Sequence, residues 1–150
     1  MGITRIFGSQ NNYRVEVINK GGNVIGYVMV GTSNLEKAIK FYDEILQVLD
    51  LKRIDTDDVC AGYGAKDGPG TIEFYVTLPF NKKEATGGNG TQVSFITNSR
   101  STVDKFHEIG LKIGGKSEGS GGERPDGSGV YYSYIRDLDG NKICAFTNNK

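Results

Sequence analysis

The stretch YYSYIRDLDGNKICAF, residues 131–146, decides the fold because it predicts two β-strands joined by a tight turn. Alternating residues flank Asp139 and Gly140, and an Asp-Gly pair between two alternating runs is a strong signal of a β-hairpin. Glycine readily adopts the positive φ that such a turn requires. Cys144 lies in the middle of the second predicted strand, so its role bears on the chemistry that this hairpin supports.

The size and charge of the chain exclude several classes of protein. A length of 150 residues predicts one domain, and 18 basic residues against 18 acidic residues leave a net charge of zero. This balance favours neither a nucleic-acid partner nor a membrane surface, and no apolar run approaches the roughly 20 residues that span a bilayer. Cys60 and Cys144 are too few for a disulfide framework, so we interpret them as reduced thiols and predict a cytoplasmic protein.

The first half of the chain reads as strands around one helix. Alternation predicts strands over 13–18 and 24–31. Apolar residues then recur at helical spacing in TSNLEKAIKFYDEILQVLDL, residues 32–51, where Ser33 and Glu36 match a capping box. Three short strands are predicted next, in KRIDTDD (52–58), VCAGYGAK (59–66) and TIEFYVTL (71–78).

The second half repeats this order of elements. TQVSFIT (91–97) predicts a strand and STVDKFHEIG (101–110) predicts a helix with Gly110 at its C-cap. A long glycine-rich excursion over 111–129 then leads to the closing hairpin. The order strand, helix, several strands therefore occurs twice, which indicates two copies of one structural unit.

Three stretches of the chain resemble one known superfamily. GYVMVGTSNLEKAIKFYDEIL is similar to its first strand and helix, and TQVSFITNSRSTVDKFHEIGLKIGG to its second strand-helix pair. GSGGERPDGSGVYYSYIRDLDGNKI resembles the glycine-rich loop, Arg-Pro pair and hairpin of a glyoxalase-like subgroup. The superfamily is the vicinal oxygen chelate superfamily, which includes glyoxalases, bleomycin-resistance proteins and extradiol dioxygenases.

The resemblance implies an α+β fold in which two paired βαβββ modules form a cupped mixed sheet. We predict a short N-terminal extension at residues 1–22, compatible with an extra strand, and a glyoxalase-like domain at 23–150. Within that domain the modules cover 23–80 and 90–150, and residues 81–89 link them. Relatives commonly dimerise, so the resemblance also implies a homodimer.

Metal-binding relatives place ligands at four strand positions that face the cup. The first-strand ligand, usually His, falls on Tyr27, and the fourth-strand ligand, usually Glu, falls on Glu73. The fifth-strand ligand, usually His, falls on Gln92, and the eighth-strand ligand, usually Glu, falls on Cys144. Because Glu and Gln suit hard ions while Cys suits soft ones, the set fits no common metal well. We predict no metal cofactor, with zinc, nickel or manganese as the alternative.

Strand periodicity selects the same residues without the resemblance. Successive side chains on a strand point to opposite faces. Apolar residues occupy one face of each predicted strand, and the other face, turned away from the helices, carries Tyr27, Glu73, Gln92 and Cys144. Periodicity does not bring these four residues together; their proximity follows only from the resemblance.

The roles of Cys144 and Glu73 stay open at this point. Cys144 is a small apolar filler in a cup that has lost its metal, a metal ligand, or a reactive thiol. A reactive thiol needs a base or cation that lowers its pKa, and the only histidine, His107, falls in the second helix. Glu73 is the candidate catalytic residue, as a general base or as a partner for a cationic ligand; the alternative is an inert hydrogen-bonded residue.

The candidate ligand-binding residues are cup-facing polar, aromatic or sulfur-containing side chains and one loop arginine: Tyr27, Met29, Tyr75, Gln92, Ser94, Arg124, Tyr134 and Cys144. Tyrosines stack on planar ligands, although tyrosine is also simply favoured in strands. Arg124 lies in GGERPDG and offers bidentate binding of a carboxylate or phosphate, with a solvent-exposed loop residue as the alternative. We interpret Asp137, Asp139 and Asn141 as turn formers.

Three functions are compatible with the sequence. The first is a metal-independent protein that binds an unidentified small molecule in the cup of the sheet. The second is a divalent-metal lyase or isomerase of the glyoxalase type, in which the ion stabilises an enolate. The third is a non-catalytic dimeric interaction domain. The sequence leaves open whether the protein is an enzyme, and it predicts neither nucleic-acid nor membrane partners.

Overall fold

The structure is a computed structural model that describes residues 3–7, 14–18 and 25–149. Its strands are β1 (Ile3–Phe7), β2 (Arg14–Ile18), β3 (Val28–Gly31), β4 (Leu51–Thr56), β5 (Cys60–Ala65), β6 (Phe74–Thr77), β7 (Val93–Ile96), β8 (Lys116–Glu123), β9 (Tyr131–Arg136) and β10 (Lys142–Thr147). Its helices are α1 (Leu35–Gln47) and α2 (Arg100–Lys112). The antiparallel pair of β1 and β2 forms a separate two-stranded sheet.

Each half of the chain forms its own four-stranded sheet with the same topology. The first sheet has the order β3-β6-β5-β4 and the second has the order β7-β10-β9-β8. In both, the strand that precedes the helix pairs in parallel with the last strand of its module, and the other pairs are antiparallel. This confirms the predicted α+β fold of two paired βαβββ modules.

One hydrophobic core lies between the sheets and their helices. Helix α1 buries Phe41, Tyr42, Ile45 and Leu46, which recur at the spacing that puts them on one face. The two modules meet on this side of the sheets, where the rings of Phe74 in β6 and Phe95 in β7 pack edge to face at 5.4 Å. Packing of the two modules therefore uses the helix side of the sheets.

The β9–β10 turn does more than reverse the chain, because Asp137 is buried and joins the two modules. Its carboxylate accepts hydrogen bonds from the Tyr42 hydroxyl at 2.6 Å and from the Asn141 side-chain amide at 2.8 Å. It also accepts from the backbone N–H groups of Asp139 and Asn141. The interpretation of Asp137 as a turn former was therefore incomplete, since the same carboxylate holds α1 against the hairpin.

Asp139 continues this junction at the start of α1. Its carboxylate accepts from the Thr32 hydroxyl at 2.6 Å and from the Ser33 backbone N–H at 2.7 Å. The Asn141 amide donates to the Gly31 carbonyl at the end of β3, at 2.8 Å. Asp139 and Asn141 thus bind the segment around the end of β3 and the start of α1, while Asp137 binds Tyr42 within α1 of the same module.

The predicted capping box at the start of α1 is wrong. The N-cap is Asn34, whose side chain accepts a hydrogen bond from the backbone N–H of Lys37 at 3.0 Å. The Ser33 hydroxyl instead accepts from the backbone N–H of Ala85 in the linker. Glu36 instead pairs with Lys40, one turn later on the exposed face.

Two predictions about glycines in the second half are also wrong. Gly110 is not the C-cap of α2: the helix continues to Lys112, and Gly110 is a buried position where a Cβ would lie 2.6 Å from the Ile135 side chain. The glycine-rich stretch is not one long loop, because its central part forms β8 with register irregularities on either side of Gly119. Both glycine patterns reflect close packing that local sequence does not reveal.

Two strands are shorter than the sequence pattern predicts. The first strand of the first module begins at Val28, so residues 25–27 lie before it, and the predicted start at residue 24 lies outside the described residues; β6 is confined to Phe74–Thr77. Ile72 lies outside the regular strand, where its side chain covers Gly62, the residue paired with Tyr75. The predicted apolar face of this segment therefore holds from Phe74 onward but does not include Ile72.

Gly87 supplies a test of how tightly the linker is held against the hairpin. A Cβ built at Gly87 would overlap the Gly140 carbonyl, whereas a Cβ at Gly26 would meet no atom within 4 Å. We expect Gly87→Ala to lower the free energy of unfolding by about 2 kcal/mol, because backbone atoms must move to make room. Gly26→Ala is the matched control, with a change within about 0.5 kcal/mol in urea denaturation. Equal values for the two variants would contradict this packing.

Buried tyrosines predict how stability depends on pH. Burial, and then the nearby Asp137 carboxylate, raise the pKa of Tyr42, and burial together with Asp43 raises the pKa of Tyr63. Since the unfolded chain ionises these phenols near their ordinary pKa of about 10, the unfolded state loses protons first. Stability should therefore be retained below about pH 10 and fall as pH rises further. Tyr63→Phe should flatten this fall in urea denaturation; parallel curves would argue against the assignment.

Candidate functional site

The open face of the first sheet carries a cluster of two tyrosines and a methionine, Tyr27, Tyr75 and Met29, which we name the first-sheet cluster. The rings of Tyr27 and Tyr75 pack edge to face at 5.2 Å. Tyr27 is 58% exposed and Met29 is 51% exposed, so these apolar side chains face solvent. Residues 27, 29 and 75 lie on this face because Val28, Val30 and Phe74, which alternate with them, turn toward the core.

Glu73 borders the first-sheet cluster, and its side chain is exposed. Its backbone is held on both sides, since its N–H donates to the Tyr63 carbonyl at 2.9 Å and its own carbonyl accepts from Val28 at 3.0 Å. No described hydrogen bond or ion pair joins its carboxylate to another residue of the chain. The structure therefore offers Glu73 as an accessible carboxylate without a described hydrogen-bond or ion-pair partner.

The open face of the second sheet brings together Gln92, Ser94, Tyr134 and Cys144, which we name the second-sheet cluster. Cys144 pairs across the sheet with Ser94 in β7 and with Tyr134 in β9. The Gln92 side-chain amide donates to the Ser94 hydroxyl at 2.9 Å. Four of the residues selected from the sequence are thus neighbours on one sheet face.

Cys144 itself is closed off from solvent, with 0% exposure. Burial raises the pKa of its thiol, and the opposing influences of a Ser94 hydrogen bond, Lys142 and Arg124 are smaller. Its Sγ lies 3.6 Å from the Ala145 carbonyl oxygen. A neutral, covered thiol is a poor nucleophile, so the geometry favours the filler interpretation over the reactive thiol.

Arg124 lies immediately after β8 and is anchored, not freely exposed. Its guanidinium donates to the carbonyls of Ser120 at 2.8 Å, Tyr132 at 2.9 Å and Gly122 at 3.1 Å. Glycine at position 119 makes room for it, because a Cβ there would lie 3.1 Å from Nη2 of Arg124. Because glycines replace larger side chains in this strand, the guanidinium can lie against the sheet.

Sequence analysis missed three residues of this face: Tyr132, Lys142 and Phe146. The Tyr132 ring stacks on Tyr134 with centroids 5.9 Å apart and on Phe146 with centroids 5.5 Å apart. The Lys142 ammonium lies 5.0 Å from the centre of the Tyr134 ring. The sequence did carry a signal for these residues. Each lies two positions from Tyr134 or from Cys144, and residues two apart on a strand share the same face.

The four positions that the resemblance assigns to metal ligands carry a mixed set of donors that matches no common metal ion well. Tyr27 and Glu73 lie immediately before β3 and β6 of the first sheet. Gln92 lies immediately before β7 of the second sheet, and Cys144 lies in β10 of that sheet. Cys144 is fully buried, and its soft sulfur does not match the hard oxygen donors of Glu73 and Gln92. Among residues 25–149, no group of three or more His, Cys, Asp and Glu side chains is placed to hold an ion.

His107 takes no part in either cluster. Its Nε2 lies 2.9 Å from the Ser117 hydroxyl, and burial lowers its pKa. The described side-chain contacts between the modules, such as Phe74 with Phe95 and Tyr42 with Asp137, lie on the helix side of the sheets. Within the described part of the chain, no aromatic contact or hydrogen bond joins the first-sheet cluster to the second-sheet cluster.

The chain is a paired-module α+β protein: it consists of two βαβββ modules, and the open faces of their sheets carry polar and aromatic residues. The sequence model of the Glyoxalase/Bleomycin resistance protein/Dioxygenase superfamily matches residues 24–145. The chain therefore belongs to this superfamily. None of the curated proteins with which the sequence was compared matches it.

Solved structures agree with this assignment. The chain is similar to a glyoxalase/bleomycin resistance protein from Albidiferax ferrireducens T118, with 36% identity and a TM-score of 0.73 over 83% of this chain and 98% of that chain. It is also similar to glyoxalase I from Zea mays, with 27% identity and a TM-score of 0.64 over 82% of this chain and 45% of that chain. Lactoylglutathione lyase from Agrobacterium tumefaciens shares the fold, with 18% identity, a TM-score of 0.60 and coverage of 85% and 96%.

Among the described residues, neither helix is long and apolar enough to cross a bilayer. The cytoplasmic location stays a prediction from the two unpaired cysteines.

Proposed function

We propose that this chain is a metal-independent small-molecule-binding protein of the glyoxalase/bleomycin-resistance type, with its ligand held against the open sheet faces. The observation that carries the proposal is Cys144, a fully buried thiol at the position where the resemblance places a carboxylate ligand of metal-binding relatives. The same faces offer exposed aromatic side chains and anchored cations, which suit an organic ligand. The alternative, suggested by the names of the glyoxalase I and lyase relatives, is a metal-dependent enzyme. Such an enzyme needs better metal-ligating side chains than this chain offers.

We also propose that a second copy of the chain completes the cup. Contiguous exposed apolar side chains mark interaction surfaces, and Met29 on the first sheet and Ile96 on the second are 51% and 67% exposed. The modules within one chain meet on the helix side, so the open faces are free to meet a partner. A homodimer that covers both faces would enclose a ligand between the two sheets.

A ligand screen on chelator-treated protein tests the binding proposal. We expect small planar organic molecules to shift backbone amide resonances around the first-sheet and second-sheet clusters in a heteronuclear NMR spectrum. The helix-side groove lined by Phe41, Ile109 and Leu138 serves as the internal control surface. Hits that appear only after zinc, nickel or manganese is added would contradict metal independence.

Glu73→Gln separates a ligand-binding carboxylate from an inert one. The substitution removes the charge while it preserves shape, and no described partner of the carboxylate is lost. If Glu73 binds a cationic group of the ligand, affinity should fall about tenfold, with Glu84→Gln in the exposed linker as the control. Unchanged affinity for every hit of the screen would remove Glu73 from the site.

A further inference from the structure

The second sheet presents three aromatic rings in a row on its open face. The rings of Tyr134 and Tyr132 are nearly parallel, at 6° and 5.9 Å, and those of Tyr132 and Phe146 are inclined by 20° at 5.5 Å. All three side chains are only partly buried. We name this row the ring ladder, and the exposed parts of its rings suit contact with another flat ring.

Two cations flank one end of the ring ladder. The guanidinium carbon of Arg124 lies 5.2 Å from the Tyr134 ring centre, and the ammonium of Lys142 lies 5.0 Å from it. Among the described residues, Glu118 is the one carboxylate in an ion pair with this group, at 2.8 Å from Arg136 and 3.9 Å from Lys142. With Arg136 counted beside Arg124 and Lys142, three cations and the single carboxylate of Glu118 leave a local excess of two positive charges, which is complementary to an anion.

Arg124 is held in place before any ligand arrives. Three of the five N–H groups of a guanidinium donate to backbone carbonyls: both hydrogens of Nη1 and one of Nη2. The Nε hydrogen and the second Nη2 hydrogen have no described acceptor within the chain. A side chain that is already ordered loses little conformational entropy when it binds an anion, so its anchoring favours affinity.

We propose that the ring ladder binds a planar aromatic carboxylate, whose ring stacks beside Tyr134 and whose carboxylate lies between Arg124 and Lys142. The inference rests on the proposed small-molecule function and specifies its ligand class. An aromatic ring uses the flat surfaces of the ladder, and a carboxylate uses the local positive charge and the remaining guanidinium donors. A neutral ring or a saturated acid satisfies only one of these two features.

The test is a titration of 2-naphthoate into chelator-treated protein, followed by amide chemical shifts. The matched probes are 2-naphthamide, which keeps the ring without the charge, and cyclohexanecarboxylate, which keeps the charge without the flat ring. We expect 2-naphthoate to shift residues of β9 and β10 and to bind about tenfold more tightly than either control probe.

Variants locate the binding within the face. Lys142→Gln should weaken 2-naphthoate about tenfold, and it leaves the backbone hydrogen bonds of Arg124 intact. Arg124→Gln should weaken it at least as much, although loss of three carbonyl contacts also loosens β8. Arg53→Gln is the control, because Arg53 pairs with Asp43 in the other module; its affinity for 2-naphthoate should equal that of the parent.

Three results would each overturn the inference. They are equal affinity for 2-naphthoate and 2-naphthamide, no binding of either probe, and an unchanged affinity for 2-naphthoate in Lys142→Gln. These results leave the metal-independent function standing if the chelator-treated protein binds other molecules. In contrast, 2-naphthoate binding that requires added zinc, nickel or manganese would overturn the proposed function itself.

Discussion

Replacing Asp137 with alanine should lower the free energy of unfolding by about 4 kcal/mol, the largest loss of stability expected from a single side chain here. The carboxylate accepts four hydrogen bonds, from Tyr42, from Asp139 and twice from Asn141. Its removal leaves these donors without their acceptor in a buried junction between the modules. Such unpaired groups cost more than the bonds themselves contribute. Urea denaturation measures the change.

The matched control for this substitution is Asp58→Ala, since Asp58 is exposed. Its effect should stay within about 0.5 kcal/mol. Tyr42→Phe should fall between the two variants, because it removes one of the four donors and leaves the carboxylate in place. Equal stability of Asp137→Ala and Asp58→Ala would show that the β9–β10 turn does not hold the modules together.

Introducing a charge on the open sheet faces should dissociate the proposed homodimer. We expect Met29→Glu to raise the dimer dissociation constant by more than about 100-fold, because a buried, unpaired carboxylate in an interface costs several kcal/mol. Ile96→Glu should act in the same way from the second sheet. Sedimentation velocity over a range of protein concentrations measures the dissociation constant directly.

Leu138→Glu is the control for these two variants. Leu138 is a partly exposed apolar residue that lines the helix-side groove, so the same change of side chain falls on the opposite side of the sheets. It should leave the dimer intact. A parent protein that is monomeric at all concentrations would refute the second-copy proposal, as would dissociation by Leu138→Glu but not by Met29→Glu.

The order of elements was predictable because each half of the chain carries strong local signals. Tyr42 and Leu46 recur at helical spacing and are buried, and the Asp-Gly turn lies where the alternation stops. Val28 and Val30 turn inward while Tyr27 and Met29 turn outward, as strand periodicity requires. These features depend on residues close in sequence, which is why the pattern reveals them.

Features that depend on distant residues were not predictable. Ser33 and Asn34 are both good N-cap residues. Asn34 caps α1, while the Ser33 hydroxyl accepts a hydrogen bond from Ala85, which is distant in sequence. The glycines before Arg124 suggested a loop, yet they form a strand that accommodates the arginine folded back over it.

The ring ladder was missed for a related reason. Tyr132 and Phe146 share faces with Tyr134 and Cys144 by simple alternation, but only the register of β9 and β10 places Phe146 opposite Tyr132. Register is set by the turn and by packing of the whole sheet. The position of Cys144 between two neighbouring strands, and hence its burial, depends on the same register.

Metal content is the most direct test of the central claim that this chain binds its ligand without a metal. The protein should be purified without chelator or metal-affinity resin, incubated with zinc, nickel or manganese, freed of unbound ions and assayed by elemental mass spectrometry. We predict that far less than one metal ion per chain is retained, and that Cys144→Ser and Glu73→Gln leave this amount unchanged. Near-stoichiometric retention of one metal, lost in both variants, would contradict the account and establish a metal site at the former ligand positions.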